Sequence, residues 1–195
     1  MTIKQTLTSI AIAGAMVLGL GSKILSASPV QWTTTAGGNG HYYERVTHSL
    51  ITWDESKIAA ESSSYLGITG HLATIHSDAE DSFIVNSLGG SVGNYWLGGF
   101  QAEGSQEPDG GWYWITGEPW SYTNWYASTG EPNNGAGGYT ENALTYWGPG
   151  LGWNDYPNWS TNEGYIVEYV PEPSTLGLLA AGGLAGLLAR NKRRK

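Results

Sequence analysis

Between Glu103 and Gly164 the chain shows no helical periodicity. The stretch is crowded with Gly, Pro, Asn, Trp and Tyr, and it holds only short runs that read as strands, Trp112–Ile115 and Ala143–Tyr146. An irregular span of that length inside a compact domain is uncommon, and it is often functional. Whatever this chain folds into must support a long loop region on a small scaffold.

The scaffold is legible on either side. His41–Thr47 alternates as a strand does. Thr52 and Glu55 have the spacing of a capping box, which predicts a helix from Trp53 to about Ser63. Ser77 and Glu80 repeat that spacing and predict a second helix to about Leu88, with Ile84 and Leu88 on its buried stripe. Gly89 and Gly90 end it. Tyr95–Phe100 and Tyr165–Val170 read as further strands. One strand, two helices, then short antiparallel strands with long loops is an α+β order. The 29 Gly, 10 Trp and 12 Tyr residues suit a loop-rich domain packed around large aromatic rings.

Charge narrows the partners. The formal net charge is −8, yet seven of the nine Lys and Arg residues lie near the termini. Within 31–170 only Arg45 and Lys57 oppose 16 acidic residues, so that region is near 2 − 16 = −14. Such a surface repels phosphate backbones and argues against nucleic acid as a partner. Carboxylates in that excess suit hard cations such as calcium. With no cysteine, disulfides, thiolate catalysis and zinc–thiolate sites are excluded.

Both ends read as addresses. Residues 1–28 have the layout of a secretory signal peptide: Lys4, an apolar run from Ile10 to Leu20, then small residues at Ser26–Ser28. Residues 171–195 hold Pro171-Glu172-Pro173, an apolar run over Thr175–Ala189 and a basic end from Arg190 to Lys195. The apolar run is short for a transmembrane helix. In this order the three parts resemble a PEP-CTERM sorting signal. That resemblance implies transient insertion of the tail in the membrane and processing by an exosortase. It places the protein in a Gram-negative bacterium that makes exopolysaccharide, with delivery to the cell surface or extracellular matrix. The folded domain is left as residues 31–170.

The chemistry lies in the irregular span. Glu131 and Asn133 sit two apart around Pro132, so both side chains can face one side. Glu141 follows, and then Asn154 and Asp155 in a second loop beyond the strand Ala143–Tyr146. Three carboxylates and two amides make a calcium donor set. Each Asn keeps an NH2 donor and each carboxylate a spare acceptor oxygen. An ion ringed this way can take two adjacent sugar hydroxyls as its last ligands.

At this point the core resembles the C-type lectin-like domain. GHLATIHSDAEDSFI (70–84) is similar to the start of that family's second helix, and Tyr95-Trp96-Leu97-Gly98-Gly99 to its WIGL motif. Glu131-Pro132-Asn133 matches EPN, and Trp153-Asn154-Asp155 matches WND. The resemblance implies that Glu131, Asn133, Glu141, Asn154 and Asp155 bind Ca2+ and, through it, a carbohydrate. It implies that Asp155 adds its backbone carbonyl and that the bond before Pro132 is cis. EPN goes with mannose- or glucose-type sugars in that family. Two departures stand out. Ala143 and Val167 occupy positions where the family has cysteines. The step from Asn133 to Glu141 is about two residues longer than the family's pattern. An accessory calcium site would draw on Asn134, Asn142 and Glu103 or Asp109.

The reading is a polysaccharide-binding lectin and not an enzyme. Glu131, Glu141 and Asp155 could include an acid/base pair for glycoside hydrolysis, but a bound cation depresses carboxyl pKa values where a general acid needs one raised. A matrix protein whose calcium only stiffens the loops uses the same ligands. Trp153 and Trp159 are expected to be buried, and so is Trp120. His71 and His76 lie on either side of an expected strand, so they are expected to serve as core or surface histidines, not as a metal pair.

Overall fold

The computed structural model describes residues 25–89, 91–135, 138–148 and 152–172. Most of the signal peptide and sorting tail predicted from sequence lies outside them. The elements run β1 (Leu25–Ser26), β2 (Val30–Gln31), β3 (Tyr42–Ile51), α1 (Trp53–Ser62), β4 (Ser64–Tyr65), β5 (Ile68–Leu72), α2 (Asp78–Ser87), β6 (Tyr95–Gln101), β7 (Trp112–Trp114), β8 (Ala143–Tyr146), β9 (Trp153–Tyr156) and β10 (Asn162–Tyr169). This is the α+β architecture expected. Leu25–Ser26, inside the predicted signal peptide, pairs with Thr47 and Val46.

The main sheet has the order β1-β3-β10-β6-β8-β9, with β2 on β3, β5 on β10 and β7 on β6. The strands were expected to be antiparallel. Most are, but β10 runs parallel to β6 through Gly164–Tyr95 and Tyr165–Trp96. A parallel pair requires a long crossover, and the irregular span between Gln101 and Asn162 supplies it.

Alternation along the central strands divides the interior into two cores. Tyr95 and Leu97 enter one, with Ile84, Leu88, Leu144, Tyr146 and Ile166. Trp96 enters the other, with Trp53, Ala60, Leu72, Ala143 and Val167. Ala143 and Val167 are therefore core packing residues. Indole N–H groups stitch the layers: Trp53 Nε1 donates to the Leu97 carbonyl at 2.8 Å and Trp96 Nε1 to the Ile51 carbonyl at 2.9 Å. Gly99 is required because a Cβ there would lie 2.7 Å from the Leu144 side chain.

The first capping box forms as predicted, with Thr52 and Glu55 satisfying each other's backbone N–H. The second forms by half. Ser77 accepts from the Glu80 N–H, but the Glu80 carboxylate turns inward. One of its oxygens takes the His76 N–H at 2.7 Å, while the other meets the Tyr43 hydroxyl and Asn39. A buried partner outcompeted the local one.

Candidate functional site

The irregular span is pinned by aromatic rings and by one buried acid. Trp120 lies 4.5 Å from Trp114 and 5.8 Å from Trp112 and Trp153, centroid to centroid. Trp125 stands 5.0 Å from Trp112. Asp81 on α2 is buried and takes hydrogen bonds from Asn124 at 2.6 Å and from the Tyr146 hydroxyl. Backbone bonds Trp153 N–H to Asn124 O (2.7 Å) and Tyr126 N–H to Trp153 O (2.9 Å) then run the loop alongside β9.

That contact delivers Glu131-Pro132-Asn133-Asn134 to the outer end of the sheet. The Glu131–Pro132 bond is cis. Asp155 is fully buried behind this loop. Its carboxylate accepts the Asn133 N–H at 3.0 Å and the Asn134 N–H at 2.8 Å. Asn134 has φ +55°, a left-handed backbone that Asn tolerates better than most residues. Its side chain braces the loop: Oδ1 accepts the Glu141 N–H at 3.0 Å, and Nδ2 donates to Glu107 at 3.1 Å. This brace closes the longer step between Asn133 and Glu141. Gly135 is needed beside it, since a Cβ there would stand 2.7 Å from Glu141 Oε1.

Glu131, Asn133, Glu141 and Asn154 line one cleft of ≈ 560 Å³, together with Thr129, Trp147 and Tyr156. Asp155, the fifth residue of the predicted set, does not line it. The sequence placed Asn154 and Asp155 in a loop, whereas they belong to β9. Strand alternation opens Asn154 to the cleft and buries Asp155 beneath the Pro132 loop, where its carboxylate lies against Glu131. The side-chain Oδ1 of Asn133 accepts the Gly135 N–H and retains one lone pair.

The electrostatics favour a cation. Glu131 is 9% exposed, and its Oε2 is buried without a hydrogen-bond partner among the described residues. Burial first, and then the Asp155 charge, push the Glu131 and Glu141 carboxyls up to about 7, and Glu131 also contributes to the rise of Glu141. An orphaned buried carboxylate oxygen beside a second carboxylate and two amide carbonyls fits a hard cation such as calcium. Among the described residues, the one group of three acid or imidazole ligand atoms within 4.8 Å of each other lies elsewhere, at His41, Glu80 and Glu168. That group is saturated internally. Glu168 takes His41 Nδ1 at 2.6 Å, the Tyr43 hydroxyl at 3.1 Å and the Thr74 N–H at 3.0 Å.

Sequence reasoning missed Glu107, whose only signal was its nearness to Pro108. It also missed the wall residues Trp147 and Tyr156. Asn134 was assigned to an accessory ion and is instead the brace. Glu103 and Asn142 share a separate cleft of ≈ 390 Å³ with Glu107, and Asp109 does not line it. Trp153 is buried as expected. Trp159 is not: it is 61% exposed, with Tyr139 edge-on at 5.7 Å. It follows β9 in a turn with no layer above it. His76 pairs with Glu118 at 3.1 Å and His71 bonds the Leu72 carbonyl, so the two do not converge.

Comparison with known proteins agrees with the geometry. The profile of the Lectin C-type domain matches residues 51–163, and that of the PEP-CTERM protein-sorting motif matches residues 170–194. The second match marks the chain for export and membrane-associated sorting. Halomucin of Haloquadratum walsbyi is 33% identical over 140 residues, 67% of this chain, although the matched part is 1% of halomucin's length. The carbohydrate-recognition domain of cow CD23, solved in the presence of a GlcNAc2Man3 oligosaccharide, superposes with a TM-score of 0.53 at 26% identity, over 68% of this chain and 89% of that one. A calcium-independent type II antifreeze protein shares the fold, with a TM-score of 0.52 at 21% identity, over 75% and 98% of the two chains. The fold therefore also serves proteins that act without calcium. With its helices, its two cores and its Glu131-Pro132-Asn133 loop locked on β9, the chain belongs to the C-type lectin domain family.

Proposed function

We propose that the protein is a calcium-dependent carbohydrate-binding module of the bacterial cell surface or extracellular matrix, specific for mannose- or glucose-type units of a polysaccharide. The observation that carries this reading is the buried, unpartnered Oε2 of Glu131 in a cleft shared with Glu141, Asn133 and Asn154. Those four side chains would hold the ion together with Asp155, whose carboxylate also closes the loop beneath them. Bound calcium would supply the attachment point for two adjacent sugar hydroxyls. The Asn NH2 groups then donate to those hydroxyls, and the spare carboxylate oxygens accept from them. The task is binding: carboxylates kept ionised by a cation are poor general acids. One site offers little contact area, so useful affinity comes from many copies on a repeating polymer. The tail match supports removal of residues 171–195 by an exosortase-type enzyme after transient membrane insertion.

The test is retention of the full chain on mannose resin in calcium, followed by chelator. Elution by chelator supports the reading, and retention unchanged by chelator defeats it. A second reading rests on the bonds from Asn133 and Asn134 to Asp155, which close the loop with protein groups alone. It is a structural or adhesive matrix protein that calcium merely stiffens. Calcium binding without retention on any neutral sugar resin selects it.

A further inference from the structure

The cleft of ≈ 390 Å³ that holds Glu103 and Glu107 is lined by none of the five predicted calcium ligands. One wall is Gln101, buried at the end of β6. Its amide nitrogen is committed twice, to the Pro108 carbonyl at 3.1 Å and the Gly110 carbonyl at 2.8 Å, which fixes the amide's orientation. Its Oε1 is buried and has no hydrogen-bond partner among the described residues. A buried acceptor without a donor is costly, so it points to a ligand that brings one. Two carboxylates stand with it. Glu107 gives one oxygen to the Asn134 amide at 3.1 Å and keeps the other. Among the described residues neither Glu103 nor Glu107 enters an ion pair. Within 31–170 the two basic residues are spent elsewhere, Arg45 on the Ser91 carbonyl at 2.9 Å and Lys57 on Glu61 at 2.6 Å. Phe100 gives the cleft an apolar wall, held by Trp53 at 4.8 Å and Tyr113 at 6.0 Å. Thr140 and Asn142 lead from the cleft to a pair of exposed rings. Tyr139 precedes Thr140, and Trp159 follows Asn158, whose N–H donates to Asn142 Oδ1 at 3.3 Å. The two rings meet edge-on and both stand mostly in water.

We propose that this face docks a lysine-bearing segment of a partner protein, with the lysine ammonium in the acidic cleft and the neighbouring residues across Tyr139 and Trp159. The inference is independent of the calcium-lectin reading. An ammonium carries three donors, and Glu103, Glu107 and Gln101 Oε1 offer it three acceptors. The aliphatic stem of a lysine lies along Phe100 while its head stays with the carboxylates. A calcium ion would ask for six to eight oxygens, and Asn142 has already spent its Oδ1 on Asn158. Exposed Trp and Tyr are the residue types that carry binding energy at protein interfaces. The acidic surface of the domain steers a basic partner towards it.

The experiment is calorimetry on the full chain in saturating calcium. The probes are a short peptide with one lysine between leucines, the same peptide with Nε-acetyl-lysine, and the free diamine cadaverine. The lysine peptide should bind at least about tenfold more tightly than its acetylated form, because acetylation removes the charge. Glu103→Lys places the protein's own ammonium in the cleft, and Trp159→Ala removes one of the exposed rings. Each should lower lysine-peptide affinity at least about fivefold, with calcium affinity within about twofold of wild type. Equal binding of the two peptides overturns the proposal, and so does a lysine peptide that does not bind. Cadaverine bound as tightly as the lysine peptide overturns the protein partner in favour of a free amine. Unchanged peptide affinity in Glu103→Lys removes the cleft from the contact, and unchanged affinity in Trp159→Ala removes the rings; either overturns the docking face. A second equivalent of calcium that Glu103→Gln abolishes gives the cleft to a metal and overturns it too.

Discussion

Calcium binding should be strongly linked to protons, and the structure sets the size of the effect. Without the ion, partial burial and the Asp155 charge hold the Glu131 and Glu141 carboxyls at about 7. Calcium takes each as a carboxylate, so binding must expel whatever protons they hold. From about pH 8 to about pH 6 the protonated fraction of each rises from about a tenth to about nine tenths. Apparent affinity should fall about tenfold per group and about a hundredfold for the pair. That corresponds to about 2.7 kcal/mol. Titration calorimetry in two buffers of different ionisation enthalpy measures both quantities. It should count about one proton released at pH ~7 and nearly two at pH ~6. Glu141→Gln should halve the count. Affinities within about twofold at the two pH values, with no proton release, would refute the placement of these carboxyls in the ion's shell. The sign carries over to stability. Folding raises these carboxyls, so the chelated protein loses stability as pH climbs from the ordinary glutamate value through about 7. Burial raises Glu80 and Asp81 too, which act in the same direction.

Three further outcomes follow from the packing. Asp155→Asn replaces an acceptor with a donor facing the Asn133 and Asn134 N–H groups, at a cost of about 1.5–3 kcal/mol per charge-assisted bond lost. Those two amides should exchange hydrogen faster even in chelator, and unchanged exchange would show that Asp155 does not hold the loop. Trp120→Ala should cost about 3 kcal/mol, the low end for truncating a core aromatic, since the ring is half-buried among four other tryptophans. A denaturant midpoint within error of wild type would remove that cluster as the loop's support. Glu168→Gln should lower the His41 titration seen by NMR. Burial alone depresses this imidazole, but the hydrogen bond and charge of Glu168 outweigh it and hold it above its ordinary value. A His41 midpoint that does not move would mean that Glu168 is not what raises it.

Both helices were legible because their signals are local. Thr52 and Ser77 cap within three residues, and Ile84 and Leu88 repeat within one turn. Strands β6, β8 and β10 were legible from short apolar runs bounded by turn residues. Strand β9 was not, because Trp153–Tyr156 carries two polar residues and gains its strand character from pairing with β8. The strand expected between His71 and His76 lies earlier, as β5 over Ile68–Leu72, because Gly70, His71 and Leu72 pair with β10, far away in the chain.

By itself the sequence determined the two helices and the longer apolar strands, the donor chemistry of Glu131, Asn133, Glu141 and Asn154, the acidic surface and the sorting motif at the C-terminal end. Each of these depends on residue identity and near-neighbour spacing. Only the tertiary structure decided which side of β9 each residue faces. Asn154 opens to the cleft, and Asp155 is buried as the anchor of the Pro132 loop. It alone decided that Glu80 abandons its own cap for Tyr43, and that Trp147 walls the cleft of Glu131 and Asn154. These outcomes depend on strands and rings brought together across long stretches of chain, where burial and unpaired hydrogen-bonding groups outweigh local preference.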